Sequence, residues 1–252
     1  MSQTCRRSTP ARCPTCAAAV KGAIDSLPLR GKLLLESFAA QRSAECGSHN
    51  CSTTMRKNNG KFSGDPATRW ITDSASPDRN MEVLADFSYI DPDGNPWQAP
   101  SGTVVDGASI PRVLWTIVGS PYTGDYRRAS IVHDKATEDP ALPAKKRKAA
   151  DRMYYHACLC GGCSKWEAIV QYLGVRIGAW IPSVALLAPS ELEAKTASGR
   201  FKKEAAEVSI VATFYEIAAR LEPDYEQMEI EDVEAMVDQF LRQKARLLTS
   251  AP

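Results

Sequence analysis

The apolar residues of the chain follow two patterns that change near Val105. Before Val105, short apolar runs at 70–72, 81–90 and 97–105 are separated by segments rich in Pro, Asp, Gly and Ser. Such runs and breakers are typical of short strands joined by turns. After Val105, apolar residues recur at helical spacing and predict helices at 110–118, 126–137, 143–159, 164–180, 203–221 and 230–248.

Local signals sharpen these boundaries. The connection Asp91-Pro92-Asp93-Gly94-Asn95 between two apolar runs predicts a hairpin, because proline and glycine supply the dihedral angles of a tight reversal. Asp125 and Ser164 are candidate N-caps, Ser109 is a candidate cap for the helix near Pro111, and Pro143 suits a first helical turn. The sequence therefore predicts an α+β fold, with a small antiparallel sheet followed by an antiparallel helix pair and a C-terminal helical extension.

Composition divides the chain into three parts. Residues 1–54 are rich in Ser, Thr, Ala, Arg and Cys and are interpreted as a loosely ordered extension, with Met55 as an alternative native start. Residues 55–182 form the main domain, and 190–252 form the helical extension. An apolar stripe on the last helix predicts packing against the preceding helix or against a protein partner; its members are Ile230, Val233, Met236, Val237, Phe240 and Leu241.

Charge and hydropathy exclude several classes of function. The 31 basic and 30 acidic residues nearly cancel, so no chain-wide positive field indicates nucleic-acid binding. The sequence contains no apolar run of 18 residues and no signal-peptide pattern after Arg6, Arg7 and Arg12. We therefore expect a soluble cytoplasmic protein without a transmembrane segment and without a specific nucleic-acid partner.

The dipeptide His133-Asp134 carries the main chemical signal. The unperturbed pKa of histidine lies nearest neutrality, so its ring can take a proton from water at physiological pH. In an antiparallel helix pair, Asp151 on the next helix would lie opposite His133 and could fix its tautomer. The alternative is a structural pair, and Asp151 could instead pair with Arg147 or Arg152 on its own helix.

A calcium site is the second chemical expectation. Asp106 ends a predicted strand, and Gly107 allows the backbone to turn its carbonyl groups toward a ligand. Asp134 would add a second carboxylate. Carboxylates beside exposed carbonyl oxygens are what calcium prefers, so Asp106, Gly107 and Asp134 are the candidate metal ligands.

The eight cysteines form two groups. Cys13-Pro14-Thr15-Cys16 has the spacing of half a zinc site, and Cys46, His49 and Cys51 could complete it, although their spacing is irregular and an extension without metal is the simpler interpretation. The second group, Cys158, Cys160 and Cys163, lies at a predicted helix end and is interpreted as the buried edge of a turn.

Several motifs follow one another at characteristic spacing: Asp106-Gly107-Ala108-Ser109-Ile110-Pro111-Arg112, Trp115, Gly119-Ser120-Pro121, Tyr126, 129–134 and 147–151. Together they resemble a bacterial and phage family, the domain of unknown function 1353. The resemblance covers roughly 70–180. It implies no activity, but it makes association with phage particles or lysis an expectation.

The chain also carries, in order, Asp-Gly-X-Ser, His-Asp, Asp, a Cys-containing turn and an aromatic-rich segment with Val-Arg-X-Gly, at 106–109, 133–134, 151, 158–163 and 172–178. This order more distantly resembles prokaryotic phospholipases of the A-two class. The resemblance implies that His133 is the base that activates water and that Asp151 orients it. It also implies that Asp106 and Asp134 bind calcium, which would polarise the ester carbonyl. The helix pair would then be a phospholipase-like core.

The chain departs from both families at Lys135-Ala136-Thr137, where aromatic residues are usual. Two hypotheses follow. The first is a calcium-dependent hydrolase of lipid esters or other small esters. The second is a non-catalytic accessory or structural protein of phage or prophage origin, which keeps the scaffold and binds a protein through 190–252. A metal-dependent phosphohydrolase is weaker, because only His49 and His156 could add histidine ligands.

Overall fold

The protein is represented by a computed structural model that describes residues 58–72, 80–183 and 197–249. All of these residues fall within the unit Ser52–Pro252. The strands are β1 (Lys61–Phe62), β2 (Thr68–Trp70), β3 (Met81–Val83), β4 (Phe87–Ile90), β5 (Pro96–Ala99) and β6 (Val104–Val105). The α-helices are α1 (Trp115–Val118), α2 (Arg127–Ala136), α3 (Ala144–Gly161), α4 (Lys165–Trp180), α5 (Ala197–Leu221) and α6 (Ile230–Thr249).

The strands form two antiparallel three-stranded sheets. The α+β class is confirmed, but the strands are divided between two sheets where the sequence predicted one. One sheet has the order β1-β4-β5 and the other has the order β2-β3-β6. The two longer predicted runs, 81–90 and 97–105, each break in the middle and give one strand to each sheet. The second break falls at Gly102, whose positive φ of 85° suits the turn between β5 and β6.

The predicted hairpin is confirmed between β4 and β5, with Tyr89 opposite Trp97. Asp91 shapes its turn: one carboxylate oxygen accepts the backbone amides of Asp93 and Asn95 at 3.0 and 2.8 Å. The other oxygen accepts the indole N–H of Trp97 at 2.9 Å. Burial would raise the pKa of Asp91, but these hydrogen bonds outweigh it and lower the pKa below its ordinary value.

The middle of the chain is a layer of three helices. Helix α3 packs against both α2 and α4, as the predicted helix pair requires, and α2 also contacts β5. The fully buried side chains between these elements include Tyr89, Tyr154, Tyr172, Met153, Ile131 and Leu173. This layer fixes the positions of the chemical residues described below.

The predicted caps had mixed outcomes. Ser164 caps α4 in a full capping box with Glu167, as expected. Asp125 is not the cap of α2, which begins after Tyr126 without a side-chain cap. Pro143 is the N-cap of α3 rather than a residue of its first turn. Ser109 does not cap the short 3₁₀ helix at Arg112–Leu114, whose N-cap is Pro111.

The apolar stripe of α6 is largely buried, because α6 packs against both α4 and α5. The alternative use of this stripe for a protein partner is therefore wrong for its buried members; only Met236 is partly exposed. In the described ranges, none of the helices is both long enough and apolar enough to cross a membrane.

Two sequence interpretations concern residues outside the described ranges. The extension 1–54 lies there, and so does the zinc candidate at Cys13, Cys16, Cys46 and Cys51. The second cysteine group is described: Cys158 and Cys163 are buried free thiols, and Cys160 is partly buried. Gly162 ends α3 in the left-handed conformation with φ 118°, as expected for a turn at this point.

Candidate functional site: a buried histidine–aspartate pair

His133 on α2 and Asp151 on α3 are in direct contact. The distance from His133 Nε2 to Asp151 Oδ1 is 2.8 Å, and both side chains are 0% exposed. A carboxylate can only accept, so Nε2 carries the proton and donates it. In the neutral ring this leaves the lone pair on Nδ1, which is buried and has no hydrogen-bond partner among the described residues.

Two arginines also contact the carboxylate of Asp151. Arg176 on α4 donates from its NH1 group to Oδ2 at 2.8 Å, and Arg147 donates from Nε to Oδ1 at 3.3 Å. The other terminal nitrogen of Arg176 donates to Asp238 on α6 at 2.8 Å. Asp238 in turn accepts a bond from Lys148 Nζ at 2.8 Å. One network of hydrogen bonds and ion pairs therefore joins α2, α3, α4 and α6.

These partners decide the charge of Asp151. Burial alone would raise its pKa, but the hydrogen bond from His133 and the charges of His133, Arg176 and Arg147 lower the pKa below its ordinary value. Asp151 is therefore held as an anion inside the protein, where an unpaired charge would be very unfavourable.

Asp134, the next residue of α2 after His133, has a different environment, because it contacts the loop that follows β6. Its Oδ2 accepts the backbone amides of Asp106 and Gly107 at 2.8 and 2.6 Å. Burial raises the pKa of Asp134 to about 6, and the neighbouring Asp106 carboxylate acts in the same direction. The amide bonds and the charge of His133 oppose this rise without cancelling it.

The loop that contacts Asp134 has an uncommon backbone. Gly107, Ala108 and Ser109 have φ values of 104°, 44° and 52°, and non-glycine residues rarely adopt such angles. A Cβ on Gly107 would collide with the ring of Pro121, so this position requires glycine. Gly178 on α4 is also required, because a Cβ there would collide with the carbonyl oxygen of Ser109.

The loop geometry does not fit a calcium site built from its carbonyl groups. Calcium takes about six to eight oxygen ligands, whereas the loop presents amide hydrogens to Asp134. The carbonyl oxygen of Asp106 already accepts the hydroxyl of Tyr122 at 2.5 Å. Over the described ranges, no three His, Cys, Asp or Glu side chains form a group able to hold a metal. The calcium site stays a prediction.

The structure brings the predicted residues together in two sets. His133 meets Asp151, and Asp134 meets the backbone of Asp106 and Gly107. Arg147 joins Asp151, as the alternative pairing allowed, whereas Arg152 pairs with Glu231 and Glu234 on α6.

Sequence reasoning did not place Arg176, Lys148 or Asp238 in this network. A signal for Arg176 was present, because it is the sole charged residue between Glu167 and Trp180 in an otherwise apolar helix. A charge at such a position needs a buried partner.

Comparison with known proteins places this site inside a recognised family region. Residues 81–175 match the family model described as Protein of unknown function (DUF1353). The match includes the Asp106–Ser109 loop, His133, Asp134 and Asp151, and it ends one residue before Arg176. The predicted resemblance to this family is confirmed over that range.

Two curated relatives also match, both from Sinorhizobium fredii (strain NBRC 101917 / NGR234). Uncharacterized protein y4jT is 41% identical over 118 residues, which are 46% of this chain and 33% of that protein. Uncharacterized protein y4iH is 35% identical over 118 residues, which are 47% of this chain and 46% of that protein. The chain therefore spans less than half the length of either relative. No solved structure matches.

Proposed function

We propose that the protein is a hydrolase of carboxylic esters, including lipid esters, with His133 as general base and Asp151 as its orienting partner. The observation that carries the proposal is the 2.8 Å bond from His133 Nε2 to Asp151, which leaves Nδ1 as the basic atom. A histidine fixed in one tautomer by a carboxylate is a recurrent arrangement for activating water.

The proposed reaction uses only groups of this chain and water. Nδ1 takes a proton from water while the water oxygen adds to the ester carbonyl carbon. The tetrahedral intermediate then breaks its bond to the alcohol oxygen, and the proton returns from Nδ1 to the departing alcohol. The products are one carboxylic acid and one alcohol. Asp151 stays ionised throughout, because Arg147 and Arg176 stabilise its charge.

Access to Nδ1 requires a movement, because His133 is fully buried. The loop at 106–109 contacts the chain just after His133, at Asp134 through two amides and at Thr137, the residue after α2, through Ser109. Its positive φ values at Ala108 and Ser109 are each unfavourable by roughly 1 kcal/mol or more. We propose that this strained loop moves to admit the ester.

The test is hydrolysis of nitrophenyl esters and of phosphatidylcholine vesicles by the full chain and by His133→Asn. Loss of a general base predicts a fall in kcat/KM of about a hundredfold or more. His49→Asn controls for loss of a histidine elsewhere, and thermal unfolding shows that each variant is folded. Assays with added calcium and with a chelator test the calcium prediction separately. Equal rates for wild type and His133→Asn, or no hydrolysis by either, would contradict the proposal.

A second candidate is the other hypothesis drawn from the sequence, a non-catalytic accessory or structural protein of phage or prophage origin. Its supporting observation is the complete burial of His133 and Asp151 within a network of hydrogen bonds and ion pairs that joins four helices. In this case His133→Asn lowers the free energy of unfolding and the protein hydrolyses no ester. A stable complex with another protein, formed equally well with and without metal, would favour this candidate.

A further inference from the structure

Tyr154 on α3 packs its ring against the imidazole of His133. The two ring centroids are 4.9 Å apart, and the ring planes are inclined at 46° to each other. Both side chains are fully buried. Side chains in a protein core are close-packed, so the position of one ring limits the positions that the other can occupy. This contact therefore constrains His133 in addition to its bond with Asp151.

The bond from His133 Nε2 to Asp151 leaves one rotation of the imidazole unset. The ring is attached to the backbone through Cβ and is held by Asp151 at Nε2, so it can still rotate about the line through these two atoms. This rotation moves Nδ1, which makes no hydrogen bond with any of the described residues. A second contact is needed to fix the direction of the Nδ1 lone pair. The ring of Tyr154 supplies such a contact.

A buried series of hydrogen bonds holds the Tyr154 ring in place. The Tyr154 hydroxyl donates to Gln171 Oε1 on α4 at 3.0 Å, and Gln171 Nε2 donates to the Val118 carbonyl at 2.8 Å. The hydroxyl also lies 3.4 Å from Ser130 Oγ on α2, which bonds the Tyr126 carbonyl at 3.2 Å. The far end of the Tyr154 side chain is therefore anchored to both α4 and α2.

The direction of the main anchoring bond is fixed. The Val118 carbonyl can only accept, so Gln171 presents its amide NH₂ group there and its Oε1 toward Tyr154. Tyr154 must then donate its proton to Oε1. Burial raises the pKa of Tyr154 well above its ordinary value, so the hydroxyl keeps this proton at neutral pH.

We propose that Tyr154 is a positioning residue for His133, because its anchored ring sets the rotation of the imidazole and hence the direction of the Nδ1 lone pair. The effect on catalysis rests on the proposed function, in which Nδ1 is the base; the effect on the ring does not. Tyr154 acts only through His133. A misplacement of about 1 Å in a reacting group can lower a rate by about a hundredfold, so Tyr154 influences the chemical step rather than ester binding.

The first test measures ester hydrolysis by the full chain and its variants. Tyr154→Leu removes the ring and should lower kcat about tenfold or more, with KM changed by less than about twofold. Tyr154→Phe keeps the ring and should recover most of kcat. Tyr155→Leu is the matched control, because Tyr155 is also a buried tyrosine of α3 but its ring contacts His156 at 5.2 Å. Thermal unfolding verifies that each variant is folded.

The second test does not depend on hydrolysis. NMR of the full chain, labelled with ¹⁵N in its three histidines, reports the order of the His133 ring, and His133→Asn assigns the signals. Wild type should give one sharp set of ring signals. Tyr154→Leu should broaden or split that set, and Tyr155→Leu should not. If wild type hydrolyses no ester, the proposed function fails, and these signals still decide whether Tyr154 positions the ring.

The inference is overturned if the His133 signals of Tyr154→Leu stay as sharp and as single as those of wild type. It is also overturned if Tyr155→Leu lowers kcat as much as Tyr154→Leu, since the loss would then reflect a cavity in the core. If Tyr154→Leu does not fold, Gln171→Met decides the question. It keeps the ring but removes the anchor of the hydroxyl, so it should broaden the same signals, and unchanged signals would overturn the inference.

Discussion

Asp134 and Asp151 are two enclosed carboxylates on neighbouring helices, and their environments have opposite effects. Asp151 contacts His133 and two arginines, and its pKa lies below the ordinary value. Asp134 contacts two backbone amides and lies near the Asp106 carboxylate, and its pKa rises to about 6. Burial acts in the same direction on both, so the difference comes from neighbouring charge. The network between the helices therefore keeps Asp151 ionised, whereas Asp134, which contacts the loop at 106–109, has a pKa of about 6 and titrates.

The largest expected effect comes from removing the cation that joins the two carboxylates of the network. Arg176→Met removes one 2.8 Å partner from Asp151 and one from Asp238, although Asp151 keeps His133 and Arg147 and Asp238 keeps Lys148. Because the loss leaves a buried carboxylate with less compensating charge, we expect the free energy of unfolding to fall by about 3 kcal/mol, the lower end for breaking a buried pair. Urea unfolding measures this.

Arg242→Met is the matched control for that variant, because Arg242 is exposed on α6. A change in unfolding free energy for Arg176→Met no greater than that of the control would show that the network contributes little. Arg176→Lys should recover part of the loss, since it keeps the charge but cannot bridge two carboxylates with the same geometry.

The next effect concerns the loop at Asp134. Gly178→Ala places a methyl group against the carbonyl oxygen of Ser109, with Pro111 Cδ at 3.3 Å. The displaced backbone should lower the free energy of unfolding by about 1–3 kcal/mol, even though alanine favours a helix.

Gly174→Ala on the same helix is the matched control, because the three atoms nearest to its new methyl group all belong to the Ile110 side chain, at 3.2 Å, and none is a backbone atom. Thermal unfolding compares the two variants. If both variants melt alike, the close approach of the loop to α4 does not contribute to stability.

The smallest effect tests the titration of Asp134. A raised folded-state pKa contributes stability that is present below the ordinary aspartate pKa near 4 and is lost as the pH rises through about 6. Asp134→Asn should remove this loss, so its free energy of unfolding relative to wild type should rise by about 1–2 kcal/mol between pH 4 and pH 7.

Urea unfolding across this pH range measures the difference between the two proteins. Asp139→Asn controls for removal of an exposed carboxylate that also accepts a backbone amide. Parallel pH profiles for wild type and Asp134→Asn would contradict the raised pKa. The contribution of Asp151 to the pH dependence of stability has the opposite sign. Because its pKa is lowered, the stability that it contributes is lost only as the pH falls below the ordinary aspartate pKa.

The sequence by itself determined the local elements of this protein. The 3.6-residue period located α2, α3, α4 and α6, and the Asp-Pro-Asp-Gly-Asn turn located the β4–β5 hairpin. The pairing of His133 with Asp151 also followed, because a short loop between two helices makes them antiparallel neighbours. Each of these results depends on residues close together in the chain.

Tertiary structure alone decided the division of the strands between two sheets, the contact of Asp134 with the amides at 106 and 107, and the pairing of Arg176 with Asp151 and Asp238. Asp134 is 28 and 27 positions from residues 106 and 107. Arg176 is 25 positions from Asp151 and 62 positions from Asp238. Periodicity shows that a helix has a buried face, but it does not show which charge on a distant helix meets that face. That choice depends on how the helices cross, and the crossing is set by packing of the whole core.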